Sequence, residues 1–325
     1  MDCLLRIRCK WNSSIYKRLA YVKVVCIHIL ISYFSFASSA EAATLAVVYP
    51  EVPAPYKQVF EQIINGIKAH HTGALVKYPI GSPITPDELL KQMTTDQVDM
   101  VVTLGRRGLS YNKAVNEQYP FVTGALPIKP NGISGVSLIA NPANLFRQLK
   151  ILSPNTRIVH VVHTEKSQWL IDIAHKSVQK TDHKLIAYKA SDIREAVEHY
   201  QNIFKTANPE KDSIWLPLDS IAANEKVILP LLLRESWDNN LVVFSSKPGH
   251  VKRGLLFTLF PDSEQDGVRL SQMLNSLFYE GKSPGVELSA SEKVGVNLRT
   301  ASHLGLEYSS QLKSTFYQTF PQSGF

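Results

Sequence analysis

The chain has 325 residues, 44% hydrophobic and 19% charged, a balance that excludes extended disorder and supplies core for two medium-sized domains. The formal net charge is +7, but residues 1–42 hold six basic side chains (Arg6, Arg8, Lys10, Lys17, Arg18, Lys23) and two acidic ones (Asp2, Glu41), which leaves +3 on the other 283 residues. No Lys/Arg run there exceeds two, so a nucleic-acid surface is excluded as the main role.

The N-terminus reads as a secretion signal. A basic stretch ends at Lys23, an apolar segment runs from Val24 to Ala37, and Ala40-Glu41-Ala42 has the small-x-small form of a cleavage site. The apolar segment is about 14 residues, short of the ~20 that a spanning helix needs. Cleavage is expected after Ala42, with the bond after Ala40 as the near rival. All three cysteines (Cys3, Cys9, Cys26) lie in this segment, so the predicted mature chain needs no disulfide and holds no Cys metal site or Cys nucleophile.

After the signal the pattern alternates strand and helix. Thr44–Tyr49 is a β-branched apolar run ending at Pro50. Tyr56, Val59, Phe60, Ile63, Ile64 and Ile67 follow at helical spacing and give one apolar face. Strands are predicted over Ala74–Ile80, Asp99–Gly105 and Phe121–Leu126, with a helix over Asp87–Val98. The Pro- and Gly-rich stretch Gly124–Gly135 reads as a crossover. A second round starts with the strand Arg157–His163 and a helix marked by Trp169, Ile173 and Val178. It continues with Lys184–Tyr188 (strand), Ile193–Ala207 (helix) and Ser213–Leu218 (strand). A helix through Val227–Leu232 is expected to kink at Pro230. Leu241–Ser245 and Leu255–Phe260 are strands, Val268–Phe278 is a helix, and Val294–Leu298 is a last strand. Tyr308–Phe325 is expected to fray as a C-terminal tail over 307–325.

Strands alternating with helices mean parallel sheets covered on both faces. The fold class is therefore α/β, with two doubly wound parallel-sheet lobes joined by a hinge. Lobe 1 is expected over 43–130, completed by part of 262–300, and lobe 2 over 131–261. Ligands in such sheets sit beyond the carboxyl ends of the strands. The residues just after each strand are therefore the candidate ligand contacts: Glu51, Tyr56, Gly105, Arg106, Arg107, Ala125, Lys166, Trp169, Asp219, Ser220 and Ser246. Either arginine offers a planar fork for a carboxylate or phosphate. Asp219 suits an ammonium or hydroxyl, or equally a turn cap. Trp169 and Tyr56 offer rings for stacking. His160 and His163 read as alternating on one strand face, a spacing that can bind a metal, but no third ligand is evident. No GxSxG, HExxH, GxxxxGK or GxGxxG motif occurs, and no catalytic grouping emerges. A binding protein is expected, not an enzyme, with no cofactor and no metal.

The stretches SIWLPLDS (Ser213–Ser220), ILPLLL (Ile228–Leu233), VVFSSKPGHVKRGLLFTLFPD (Val242–Asp262) and VGVNLRTASHLGL (Val294–Leu306) resemble the ABC-transporter substrate-binding proteins related to tryptophan and tyrosine binders. AVVYPEVPAPYKQVFEQIINGI (Ala46–Ile67) and GISGVSL (Gly132–Leu138) are similar too. The resemblance covers nearly the whole mature chain and is strongest from Ser213 to Leu306. It implies a type I periplasmic binding protein: two α/β lobes joined by three crossovers, capturing a small solute and handing it to a membrane permease. Two loops depart from the family pattern. Gly105-Arg106-Arg107-Gly108 stands where Gly-Thr-Pro and small residues are usual, and the Asp-Pro-Val-containing segment after the fourth strand is missing. The expected function is periplasmic capture of a small molecule, an amino acid or other carboxylate-bearing solute, by a monomer that delivers it to an ABC permease. The alternative is a ligand-sensing module for a membrane sensor kinase or receptor.

Overall fold

The computed structural model describes residues 42–54, 56–82 and 84–321. The expected signal segment, apart from Ala42, lies outside the described residues. No helix among the described residues is long and apolar enough to cross a membrane.

The first lobe opens with β1 (Leu45–Pro50), α1 (Tyr56–His70), β2 (Leu75–Ile80), α2 (Pro86–Thr95) and β3 (Met100–Leu104). Two short helices follow, α3 (Gly105–Leu109) and α4 (Asn112–Asn116), then β4 (Phe121–Leu126) and β5 (Gly135–Ala140). α2 starts where its sequence tells it to: Thr85 caps the Glu88 amide, Glu88 caps back, and Pro86 occupies the first turn. The chain then enters the second lobe with α5 (Pro142–Leu152), β6 (Ile158–His163), a 3₁₀ turn (Glu165–Ser167), α6 (Gln168–Val178), β7 (Lys184–Lys189) and α7 (Ile193–Thr206). β8 (Asp212–Leu216), α8 (Ile228–Asp238), β9 (Val242–Ser245), α9 (Pro248–Arg253) and β10 (Phe257–Pro261) complete the run. It returns to the first lobe for α10 (Ser263–Glu280) and β11 (Val286–Ser289). It finishes in the second with β12 (Glu292–Asn297), α11 (Leu298–His303), α12 (Ser310–Lys313) and β13 (Gln318–Phe320).

The first sheet has the order β11-β5-β4-β3-β1-β2 and is parallel throughout. The second has the order β13-β12-β10-β9-β8-β6-β7, with only the β10–β12 pair antiparallel. β3 (MVVTL) is buried throughout and apolar but for Thr103, as helix cover on both faces requires, and β8 (DSIWL) is buried throughout with Asp212 and Ser213 hydrogen-bonded to His160 and the Ile158 carbonyl. The second lobe is centred on Trp215, fully buried and edge-on to Phe146 at 5.9 Å.

Four expectations change. Gly124–Gly135 is not a crossover between lobes. β4 and β5 both lie in the first sheet, so that lobe runs to Ala140 and not to 130. The three passages between lobes are Ala140–Pro142, Pro261–Ser263 and Ser289–Glu292. Pro230 does not kink its helix: it falls in the first turn of α8, where no intrahelical N–H partner is needed. The C-terminal segment is held down as far as Pro321. Tyr308 is buried and donates to the Leu152 carbonyl at 3.0 Å, and β13 pairs with β12. A short apolar set (Leu306, Tyr308, Leu312, Phe316) packs on the core, a signal masked by the surrounding serines and glutamines.

α1 and α10 cross at two glycines. A Cβ on Gly66 would stand 1.9 Å from the Glu264 carbonyl oxygen, and one on Gly267 would stand 2.0 Å from that of Ile63. Gly267→Ala is expected to destabilise the protein by about 2 kcal/mol despite alanine's better helix propensity, because two backbones must separate. Urea unfolding at constant m-value measures it, and an unchanged midpoint would contradict this close packing.

Candidate functional site

A cavity of about 640 Å³ opens between the lobes at the carboxyl ends of their strands. The first lobe contributes Arg106 from α3, Pro127, Ile128 and Lys129 after β4, and Ile139 of β5. The second contributes three turns: Lys166–Leu170 after β6, Pro217–Glu225 after β8, and Lys247 and His250 after β9. The walls are partly apolar, through Pro127, Ile128, Trp169, Pro217 and Leu218. Arg106, Lys129 and Lys166 are exposed and have no carboxylate or hydrogen-bond partner among the described residues.

Asp219 is buried and its carboxylate is fully engaged. One oxygen accepts from the Thr164 amide (3.0 Å), the Thr164 hydroxyl (2.7 Å) and the Ser167 hydroxyl. The other accepts from the amides of Ile221 (2.8 Å) and Ala222 (2.9 Å). Burial by itself would raise this carboxyl's pKa. The bonds from Ser167, Thr164, Ala222 and Ile221 outweigh it and hold the pKa below its ordinary value. Asp219 therefore clamps the β6 turn to the β8 turn and has little capacity left for a ligand. This is the turn-cap role in an enlarged form, not the ammonium site.

His250 is 2% exposed. The Ser245 hydroxyl donates to the Leu216 carbonyl (3.2 Å) and accepts from the Lys247 amide (3.0 Å). In that network His250 Nδ1, 2.8 Å away, carries the proton toward Ser245. Nε2 is left as a bare acceptor without a hydrogen-bond partner among the described residues. Burial, then the Lys247 charge, push the imidazole pKa down to about 4, so the ring is neutral near pH 7. Glu225 pairs with Lys247 and lies 4.0 Å from Arg253 Nη1. The Lys247 ammonium holds its carboxyl below the usual range.

Of the predicted contacts, Arg106, Lys166, Trp169, Asp219 and Ser220 line this cavity. Six others do not. Arg107, one residue along α3, turns the other way and donates to the carbonyls of Ile80 (3.0 Å) and Gly81, bracing the end of β2. Gly105 is buried with φ +68°, a left-handed turn against the Phe60 ring that lets α3 leave β3 sharply. Ala125 is half-buried against the core of its own lobe. Ser246 is buried, its hydroxyl accepting from Trp215 Nε1 at 2.9 Å. Glu51 and Tyr56 follow β1 outside the cavity, and Tyr56 is 68% exposed. The post-strand rule locates the right edge of each sheet but not side-chain direction. It missed Lys129, Glu225, Lys247 and His250, which lie one loop or one helical turn further on. His160 and His163 face opposite sides of β6. His160 bonds Asp212 and Tyr188, and His163 bonds the Thr164 carbonyl. Among the described residues no group of three or more His, Cys, Asp or Glu side chains is placed to hold a metal ion.

No protein-family model matches the sequence, and no curated protein matches it. Solved structures do match over most of the chain. The ligand-free, open structure of a substrate-binding protein with adhesive properties from Clostridium difficile aligns with a TM-score of 0.60 at 13% identity, over 85% of this chain and 98% of that one. The fold is type I periplasmic binding protein-like. A Streptococcus pneumoniae protein described as an ABC domain in complex with L-Trp aligns with a TM-score of 0.50 at 16% identity, over 86% of this chain and all of that one. At these identities the likeness concerns architecture, and the type I fold is what places the cavity between the lobes.

Proposed function

We propose that this chain is a solute-binding protein that captures a small carboxylate-bearing molecule between its lobes and presents it to an ABC permease from the periplasm. One observation carries the reading: a cavity of about 640 Å³, walled by both lobes, in which Arg106, Lys129 and Lys166 have no carboxylate or hydrogen-bond partner among the described residues. A polar group built into a cleft and left unmatched is matched by a ligand. A ligand touching both lobes binds their closed arrangement better and shifts the population toward it, and closure gives a permease a surface that reports occupancy.

The fold shared with a substrate-binding protein and with an L-Trp-bound protein supports this role, as does the export-type N-terminus. Arg106, Lys166, Trp169 and Ser220 are the ligand contacts of the proposal. Asp219 holds two of the turns that carry them. A monomer suffices, since both walls of the cavity come from one chain.

The test is a thermal-shift screen against organic acids, amino acids, sugars and nucleosides. A ligand at 100 times its dissociation constant adds about 2.7 kcal/mol, a shift of roughly 4–5 °C at this size. Tryptophan emission gives a second readout. Among the described residues Trp215 is fully buried and Trp237 lies outside the cavity, so an emission change on ligand addition is expected to vanish in Trp169→Phe. An emission change that survives Trp169→Phe would place the ligand elsewhere.

A further inference from the structure

We infer that the solute is a small dianion whose two anionic groups are separated by an apolar segment and which carries no ammonium group. The inference rests on the solute-binding reading and narrows its substrate class.

The charge balance of the cleft is the basis. Four cations line it: Arg106 and Lys129 from the first lobe, Lys166 and Lys247 from the second. Only two carboxylates line it, and both are consumed inside the second lobe. Asp219 accepts five hydrogen bonds from the two turns it joins. Glu225 is paired with Lys247 and flanked by Arg253. A ligand ammonium would therefore meet no free carboxylate, and near Glu225 it would meet two competing cations. An α-amino acid would bury its positive end uncompensated.

Three cations remain unmatched, and they stand on both walls. Closing the cleft without a ligand brings Arg106 and Lys129 toward Lys166, a like-charge approach that opposes closure. A ligand with one anionic end on the Arg106–Lys129 side and the other on the Lys166 side turns that repulsion into two charge-assisted contacts. Pro127, Trp169, Pro217 and Leu218 line the same cavity and suit an apolar or planar middle.

Isothermal titration with matched probes tests this. Glutarate and terephthalate are expected to bind, and glutamate, which is glutarate with an added ammonium, at least about tenfold more weakly. Arg106→Ala and Lys166→Ala should each weaken glutarate or terephthalate by about tenfold or more. Raising NaCl from 0.05 to 0.5 M should weaken both several-fold, as about threefold shorter screening lengths demand. Tighter binding of L-tryptophan, glutamate or ribose than of either dicarboxylate would overturn the dianion inference and leave the solute-binding reading standing. No binding of glutarate or terephthalate would overturn the dianion inference, and no hit in the thermal-shift screen as well would overturn both.

Discussion

Asp219→Ala is expected to lower the melting temperature of the ligand-free protein by roughly 5–8 °C. The wild-type carboxylate receives five hydrogen bonds in a site 7% exposed to solvent. Truncation leaves the Thr164, Ile221 and Ala222 amides and two hydroxyls without their acceptor. Bonds to a charged group are worth about 1.5–3 kcal/mol each when isolated, and orphaned buried donors add their own penalty. Water entering the cavity side restores part of this, so a net loss of about 3–5 kcal/mol is the working figure. At this chain length each kcal/mol moves the melting temperature by roughly 1.5–2 °C. The loss should also depend on pH. A carboxyl with a depressed folded pKa contributes stability that is present above its unfolded value, near 4, and is lost as pH falls through the folded value. The gap between wild type and variant should therefore narrow below about pH 4. Asp219→Asn, which keeps one acceptor oxygen, should fall in between. Calorimetry at pH 7 and pH 3.5 decides it, and a variant melting within about 2 °C of wild type at pH 7 would show that the two turns hold without the clamp. Ligand binding should weaken as well, because Lys166 and Ser220 ride on those turns.

The second large effect lies where the lobes join. Asp266 and Glu292 are carboxyls packed between the crossovers. Asp266 accepts from the Ser289 hydroxyl at 2.7 Å, and its other oxygen is buried without a partner among the described residues. Glu292 accepts from the Asn141 amide (2.9 Å) and the Asn144 side chain (2.7 Å). Burial pushes each up to about 7 against the hydrogen bonds from Ser289 at Asp266 and from Asn144 and Asn141 at Glu292; the Asp262 charge adds to the rise at Asp266 and the Asp266 charge to that at Glu292, where Arg147 opposes it. Lys293 faces the group too but is paired with Asp262 at 3.0 Å. A raised folded pKa means the folded chain holds a proton that the unfolded chain has released. The stabilising contribution is complete below about pH 4 and is lost as pH rises through about 7. His163, His183 and His250, whose folded values are lowered, work in the opposite sense over part of the same range, so the wild-type profile alone is uninformative. The difference between Asp266→Asn and wild type isolates the carboxyl. The variant is expected to be about 2 kcal/mol or more stable than wild type at pH 8 and nearly equal to it at pH 4.5. A pH-independent difference would mean Asp266 does not titrate between those values.

The alternation of β-branched runs with helical spacing was enough to place most strands within a residue or two and to predict two parallel-sheet lobes. That information is local: a strand buried on both faces must be apolar throughout, and a covering helix must repeat its apolar residues every three or four positions. The edge of each sheet where a ligand sits follows from the same rule, which is why Arg106, Lys166, Trp169 and Ser220 were legible as candidates. Side-chain direction was not. Arg106 and Arg107 are identical in type and adjacent in sequence, yet one lines the cavity and the other braces β2, because one step along a helix turns a side chain by about 100°. Asp219 read equally well as a ligand group or as a cap, and only the approach of Thr164 and Ser167 from 52–55 residues away assigned its lone pairs. β5 and β11 were missed as strands because Gly, Ser and Glu interrupt their apolar runs, and their partners lie in distant parts of the chain. The sequence by itself determined the lobes, their periodicity and the ends of the strands. Which charges in the cleft are already neutralised was decided only by tertiary structure, since a carboxylate's capacity for a ligand depends on what else has reached it.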